Sequence, residues 1–306
     1  MKNEYNMLLS EKRELECILQ TIPAEKLILR NSFSNRLEEV ISKIKAFKMP
    51  KCRVASLTFR GNPVNGIKGI SADFSSKAMG AFSELYSIIS ASISGDLSDR
   101  GRLPNRKDSR LLITGTAVGS FGFNFEIPEN NSLNLFEDEK DEPSIIAIEK
   151  IKNLMESTVT GSDDDLIEVA EDIHRRSLKK MYDFLNILSQ EKAVCGLEYN
   201  GEKFSYKNQS EINLAMNKLK EDNVHEYISE CKGEIRGILP SSRNFEFVGD
   251  DVGCIKGRLG IRIENPKDFH EKFLYKKVSI KLRVLKIGEG RDRYILDSED
   301  DIITDI

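Results

Sequence analysis

Five basic side chains, Arg100, Arg102, Arg106, Lys107 and Arg110, fall within eleven positions beside one acid, Asp108. Gly101 and Pro104 keep that stretch extended, and an arginine fork matches two phosphate or carboxylate oxygens at once. The stretch is therefore expected to contact anions, either on a partner or elsewhere on this chain. A second basic concentration lies further on, where residues 232–293 hold fifteen Lys and Arg against nine Asp and Glu. Its candidate contacts are Lys256 and Arg258, in a strand expected at Cys254–Leu259, with Lys281 and Arg283. The last two lie on the polar face of the alternating run Val278–Val284. The formal net charge of −4 hides this asymmetry, because residues 294–306 carry five acids and no base.

The residue types that catalyse are present without a catalytic spacing. The three histidines, His174, His225 and His270, are far apart and none sits at triad or metal-ligand spacing. Five cysteines, at 17, 52, 195, 231 and 254, form no C-x-x-C pair; they read as packing residues in a reducing cytosol. Gly115, Gly119 and Gly122 run straight into a strand pattern with no following lysine. They suit a bulged or closely packed hairpin better than a phosphate cradle. The acids at 163–165, 250–251 and 299–301 lack the alternating spacing of a calcium loop. Glu246 and Lys256, on neighbouring strands, are thin support for a nuclease. Neither a metal nor a cofactor is expected, and the chain reads as no enzyme.

These residues need elements to hold them. An apolar stripe of Tyr5, Leu8, Leu15, Ile18, Leu19 and Ile22 predicts a helix over 4–22, stopped at Pro23. Phe33, Leu37, Val40, Ile44 and Phe47 alternate at four and three residues, the spacing of a coiled-coil seam. Residues 1–50 are thus expected to form a helical hairpin that docks on the body, a second copy or a protein partner. Residues 51–128 read as a ββαββ domain, with Phe121, Phe123, Phe125 and Ile127 on one face of its last strand.

A polar, acidic stretch at 129–143 separates this from a mostly helical domain over 144–225. There Ser162 before three aspartates marks a helix start, and Asn200-Gly201 marks a β-hairpin. Residues 231–297 read as a small basic β-barrel of OB or SH3-like type. Residues 298–306 read as an acidic tail, unpacked or folded back on the basic face. The fold class expected is therefore multidomain α+β. Hydrophobic residues make up 39% of the 306, enough for sizeable cores. No window is apolar enough for a membrane span, and no apolar leader is read at the start. The expected location is cytoplasmic.

Three segments together resemble an uncharacterised bacterial family. They are Ile22-Pro23 with Leu27–Arg30 and Arg36-Leu37, the turn Phe59–Val64, and the block Arg106 with Leu111–Phe123, which contains a GTAxGSFGF-type motif. The similarity extends to Gly237–Pro240 and Arg243–Phe247, so it covers nearly the whole chain. The resemblance implies an accessory component of a multi-gene system, such as phage defence, and carries no catalytic residues. The reading is a non-enzymatic interaction and assembly protein, oligomeric or partnered through its hairpin, with DNA or RNA contacted by the barrel and the Arg-rich stretch. The alternative is a divergent nuclease or other phosphate-ester hydrolase whose site assembles from distant residues.

Overall fold

The computed structural model describes residues 2–21, 26–46, 53–94, 97, 110–117, 121–127 and 143–304. It divides into two units, Met1–Cys52 and Arg53–Ile306. In the first, α1 (Lys2–Thr21) and α2 (Leu27–Ala46) pack against each other. Leu15 and Val40 are buried, and Phe33 and Leu37 are half-buried. Arg36 ties the two helices, its Nε and Nη2 donating to Glu11 Oε1 at 2.8 and 2.7 Å. Ile44 belongs to α2, while Phe47 lies outside the described residues.

The second unit opens with β1 (Val54–Gly61), a short ribbon of β2 (Val64–Asn65) and β3 (Gly69–Ile70), and α3 (Ala72–Ile93). Then come β4 (Leu112–Ala117), β5 (Phe121–Glu126), α4 (Pro143–Thr160), α5 (Asp163–Ala170) and α6 (Arg175–Gln190). β6 (Ala193–Tyr199), β7 (Glu202–Ser205) and α7 (Gln209–Lys218) complete this layer. The strands form one antiparallel sheet in the order β4-β5-β1-β6-β7.

Local chemistry explains the elements. Ser71 caps α3 by accepting from the Phe74 N–H, and Phe74, Ala78, Phe82, Leu85 and Ile89 then bury one helical stripe. Ser162 and Asp165 cap α5 reciprocally, and their hydrogen bonds hold the Asp165 carboxyl below its ordinary range. Asn200 and Gly201 both take positive φ, 53° and 81°, as a two-residue hairpin turn requires. Ala55, Leu57 and Phe59 of β1 and Cys195, Leu197 and Tyr199 of β6 are buried within one core that includes α3 to α7.

That sheet corrects the expected division between 51–128 and 144–225. β6 lies directly beside β1, pairing Ala55 with Tyr199 through Gly61 with Ala193, so the two segments share one sheet and one core. Long-range pairing, which local patterns cannot signal, decides this boundary.

The rest of the unit is a closed five-stranded barrel. It is built from β8 (Val224–Leu239), β9 (Asn244–Gly249), β10 (Gly253–Leu259), α8 (Pro266–Phe273), β11 (Lys277–Ile287) and β12 (Arg293–Leu296). Around the barrel the strands run β8-β9-β10-β12-β11 and back to β8, and only the β10–β12 pair is parallel. A bulge between Ile235 and Gly237 bends β8. Cys231, Ile235, Phe245, Phe247, Ile280 and Leu282 are among the residues that fill the interior. Leu285, Ile287 and Ile295, from the same strands, join the α/β core instead.

Residues 298–304 are not an unpacked tail. Ser298 and Asp301 form a reciprocal cap around the turn Glu299–Asp301, and β13 (Ile302–Thr304) adds a strand to the free side of β11. Glu299 also accepts from Lys272 at 2.7 Å. The acids are anchored because a serine cap and three β-prone residues flank them. No helix among the described residues is long and apolar enough to cross a membrane.

Candidate functional site

Of the Arg-rich stretch, Arg100, Arg102, Arg106 and Lys107 lie outside the described residues, and Arg110 is exposed just before β4. The glycine motif after it falls on the β4–β5 hairpin, whose register shifts between Ile113 and Gly115. Gly122 lies against β1, where a Cβ would collide with the Leu57 carbonyl and the Thr58 Cα. Close strand approach therefore accounts for this glycine.

The four basic barrel residues part company. Arg258 Nη1 donates to Glu171 Oε1 at 2.7 Å, and its Nη2 lies 3.2 Å from Asp172. Arg283 grips Asp297 with two bonds, Nε to Oδ2 at 2.7 Å and Nη2 to Oδ1 at 2.9 Å, and also reaches Glu226 and the Glu171 carbonyl. These residues lie where the barrel meets the α5–α6 junction, and they line a cavity of about 620 Å³ with Arg175 and Arg262. Their charges are matched within the chain, so they act as a clamp between barrel and helices. Lys281 faces Glu230 across the β8–β11 ladder at 3.2 Å. Lys256 is 82% exposed and only 3.9 Å from Glu246, the loosest of these ion pairs.

Burial sets the electrostatics of the clamp. Desolvation pushes the Glu171 carboxyl above its ordinary range despite the Arg258 guanidinium beside it. Arg258 and Arg283 are also partly desolvated, but their carboxylate partners outweigh this and hold both guanidiniums charged. Arg243 works differently. Its Nη2 donates to the Ile263 carbonyl at 2.7 Å and also to that of Gly260, while its Nε bonds the Leu259 carbonyl at 3.2 Å. It pins the β8–β9 turn to the end of β10.

Lys256 opens onto a second cavity, of about 520 Å³, on the face where β8, β9 and β10 meet the C-terminal end of α8. Arg236, His270, Tyr275, Arg293 and Tyr294 share its lining, with Glu171 and Glu246 as the acids. Sequence patterning leaves Phe245, Phe247, Phe269, Phe273, Tyr275 and Tyr294 equally able to be core. The structure separates them: Phe245, Phe247, Phe269 and Phe273 are buried, Tyr294 is half-buried, and Tyr275 is 65% exposed. Arg236, His270, Tyr275 and Arg293 have no periodic signature. The only sequence signal toward them is the excess of base in residues 232–293.

The remaining chemistry-bearing residues are accounted for locally. His174 caps α6, its Nδ1 accepting from the Arg176 N–H at 3.2 Å. Cys195 and Cys231 are buried, and burial alone raises the Cys195 thiol far above its ordinary range. Among the described residues, no group of three or more His, Cys, Asp or Glu could hold a metal ion. No family model matches this chain, no curated protein matches it in sequence, and no solved structure matches its fold.

Proposed function

We propose that this chain is a non-enzymatic binding and assembly subunit whose barrel holds single-stranded nucleic acid along the β8–β9–β10 face. The observation that carries this reading is the groove of about 520 Å³, where Arg236, Lys256 and Arg293 stand beside Tyr275 and Tyr294. Bases stack on aromatic side chains while cations follow the backbone, a combination that tolerates any sequence. The barrel's strand order supports the same reading. Its third and fifth strands are parallel and a helix lies between the third and fourth, the arrangement of OB-type barrels, which bind oligonucleotides on their second and third strands. The N-terminal hairpin is the assembly element, through the seam of Phe33, Leu37 and Val40.

The test is fluorescence anisotropy of a labelled oligothymidylate of about twelve nucleotides with the full chain at low salt. Saturable binding is expected, weakening steeply as salt rises because counterions are released from the phosphates. Lys256→Glu with Arg236→Glu should weaken it about tenfold or more and flatten the salt slope by about two contacts. No saturable binding at the lowest salt would sink the proposal.

A further inference from the structure

The cavity at the end of α8 has a feature that a simple basic face does not require. Three nitrogens among its lining residues, Arg258 Nε, His270 Nδ1 and Arg293 Nε, are shut from solvent and have no hydrogen-bond partner. Buried donors are almost always satisfied, so three around one cavity call for a reason. The carboxylates nearby do not supply it. Glu171 is held by Arg258, and Glu246 faces Lys256 and accepts from the Cys254 thiol at 3.2 Å. The Arg293 guanidinium makes no direct ion pair among the described residues, although its charge acts on the Glu171 carboxyl of the same cavity.

The backbone at Tyr275 is equally unusual. Its φ of +59° is a left-handed conformation that large side chains rarely adopt. It is fixed by the Tyr275 N–H donating to the Ile235 carbonyl at 2.8 Å, at the bulge in β8 where the ladder register shifts. Closing α8 in this way leaves a large aromatic ring mostly exposed on the cavity wall, at a position where glycine is the usual residue. A cation without a direct ion pair beside an exposed aromatic ring suits a ligand with one anionic group and one flat ring. A cavity of about 520 Å³ accommodates both.

We propose that this cavity is a site for one nucleotide unit, its base against Tyr275 and its phosphate on Arg293 with His270 alongside. The proposal rests on reading the barrel as a nucleic-acid surface and adds a discrete subsite to it. The same chemistry is offered by a free mononucleotide or by one unit of a strand.

Calorimetry on the full chain separates these cases, using thymidine 5′-monophosphate, inorganic phosphate and an oligothymidylate as probes. The variants are Tyr275→Gly, Tyr275→Phe and Arg293→Gln, with Lys77→Gln on the exposed side of α3 as a control away from the barrel. Tyr275→Gly is the informative one. Glycine accepts positive φ without strain, so this variant should melt no lower than wild type and still bind the mononucleotide at least about tenfold more weakly. Tyr275→Phe should bind as wild type, Arg293→Gln should lose about tenfold or more, and Lys77→Gln should change nothing.

If the oligothymidylate binds but the Tyr275 and Arg293 variants bind it as wild type does, the subsite is wrong and the barrel surface stands. If the mononucleotide binds and the strand binds no better, the subsite stands as one for free nucleotides and the strand reading falls. Inorganic phosphate binding as tightly as the nucleotide would overturn the role of Tyr275. Binding of neither nucleotide nor strand ends both readings.

Discussion

Glu171 is buried and ion-paired at once, and burial dominates. Its folded carboxyl titrates above the ordinary value of 4.5, so the folded state binds its proton more tightly than the unfolded chain does. Stability contributed by this residue is therefore greatest at acid pH and declines as pH rises from about 4.5 through the raised value. Glu171→Gln removes that titration. In urea melts across this window, wild type should lose stability relative to the variant as pH climbs; parallel curves would show that burial does not govern this carboxyl. The opposite sign holds at Asp165, whose cap is lost only as pH falls through its lowered value. None of this was legible in the sequence. Arg258 and Glu171 lie 87 residues apart, and a charge count shows which segment is basic without showing which cations are already engaged. Tyr275 was hidden for another reason: it follows two core phenylalanines, Phe269 and Phe273, and shares their composition signal.

At the scale of elements, the legible features were those written in consecutive residues. The capped start of α5, the stripe of Leu178, Met181, Leu185 and Leu188 on α6, and the Asn200-Gly201 turn stand where sequence spacing puts them. The pairing of β1 with β6 was not legible, because Thr58 and Gly196 touch across 138 residues. Nor was the ordered segment after Asp297, since its run of acids outweighs a three-residue strand in any local reading. Gly122 shows how tightly β5 lies on β1. Gly122→Ala must push a methyl group into the β1 backbone, and should cost about 1–3 kcal/mol by chemical denaturation. An unchanged midpoint would mean that the strands separate readily there.

The whole molecule consists of a hairpin unit and a larger unit, and the proposed roles divide the same way. If the seam on α2 mediates assembly, light scattering of the full chain should report an oligomer. Leu37→Asp with Phe33→Asp should then reduce it to a monomer with unchanged helical circular dichroism, because two charges in an apolar seam oppose association. A monomeric wild type would overturn self-association through the seam. Within the larger unit, β11 belongs to two interiors: Val278, Ile280 and Leu282 fill the barrel, and Leu285 and Ile287 complete the α/β core. That shared strand has a consequence for how the protein is made. Strands β1 and β6 can pair before the barrel strands are made, yet the core they belong to stays incomplete until Leu285, Ile287 and Ile295 have left the ribosome. Until then the growing chain leaves uncovered the side of α5 that packs on β11, a natural point of contact for chaperones during translation.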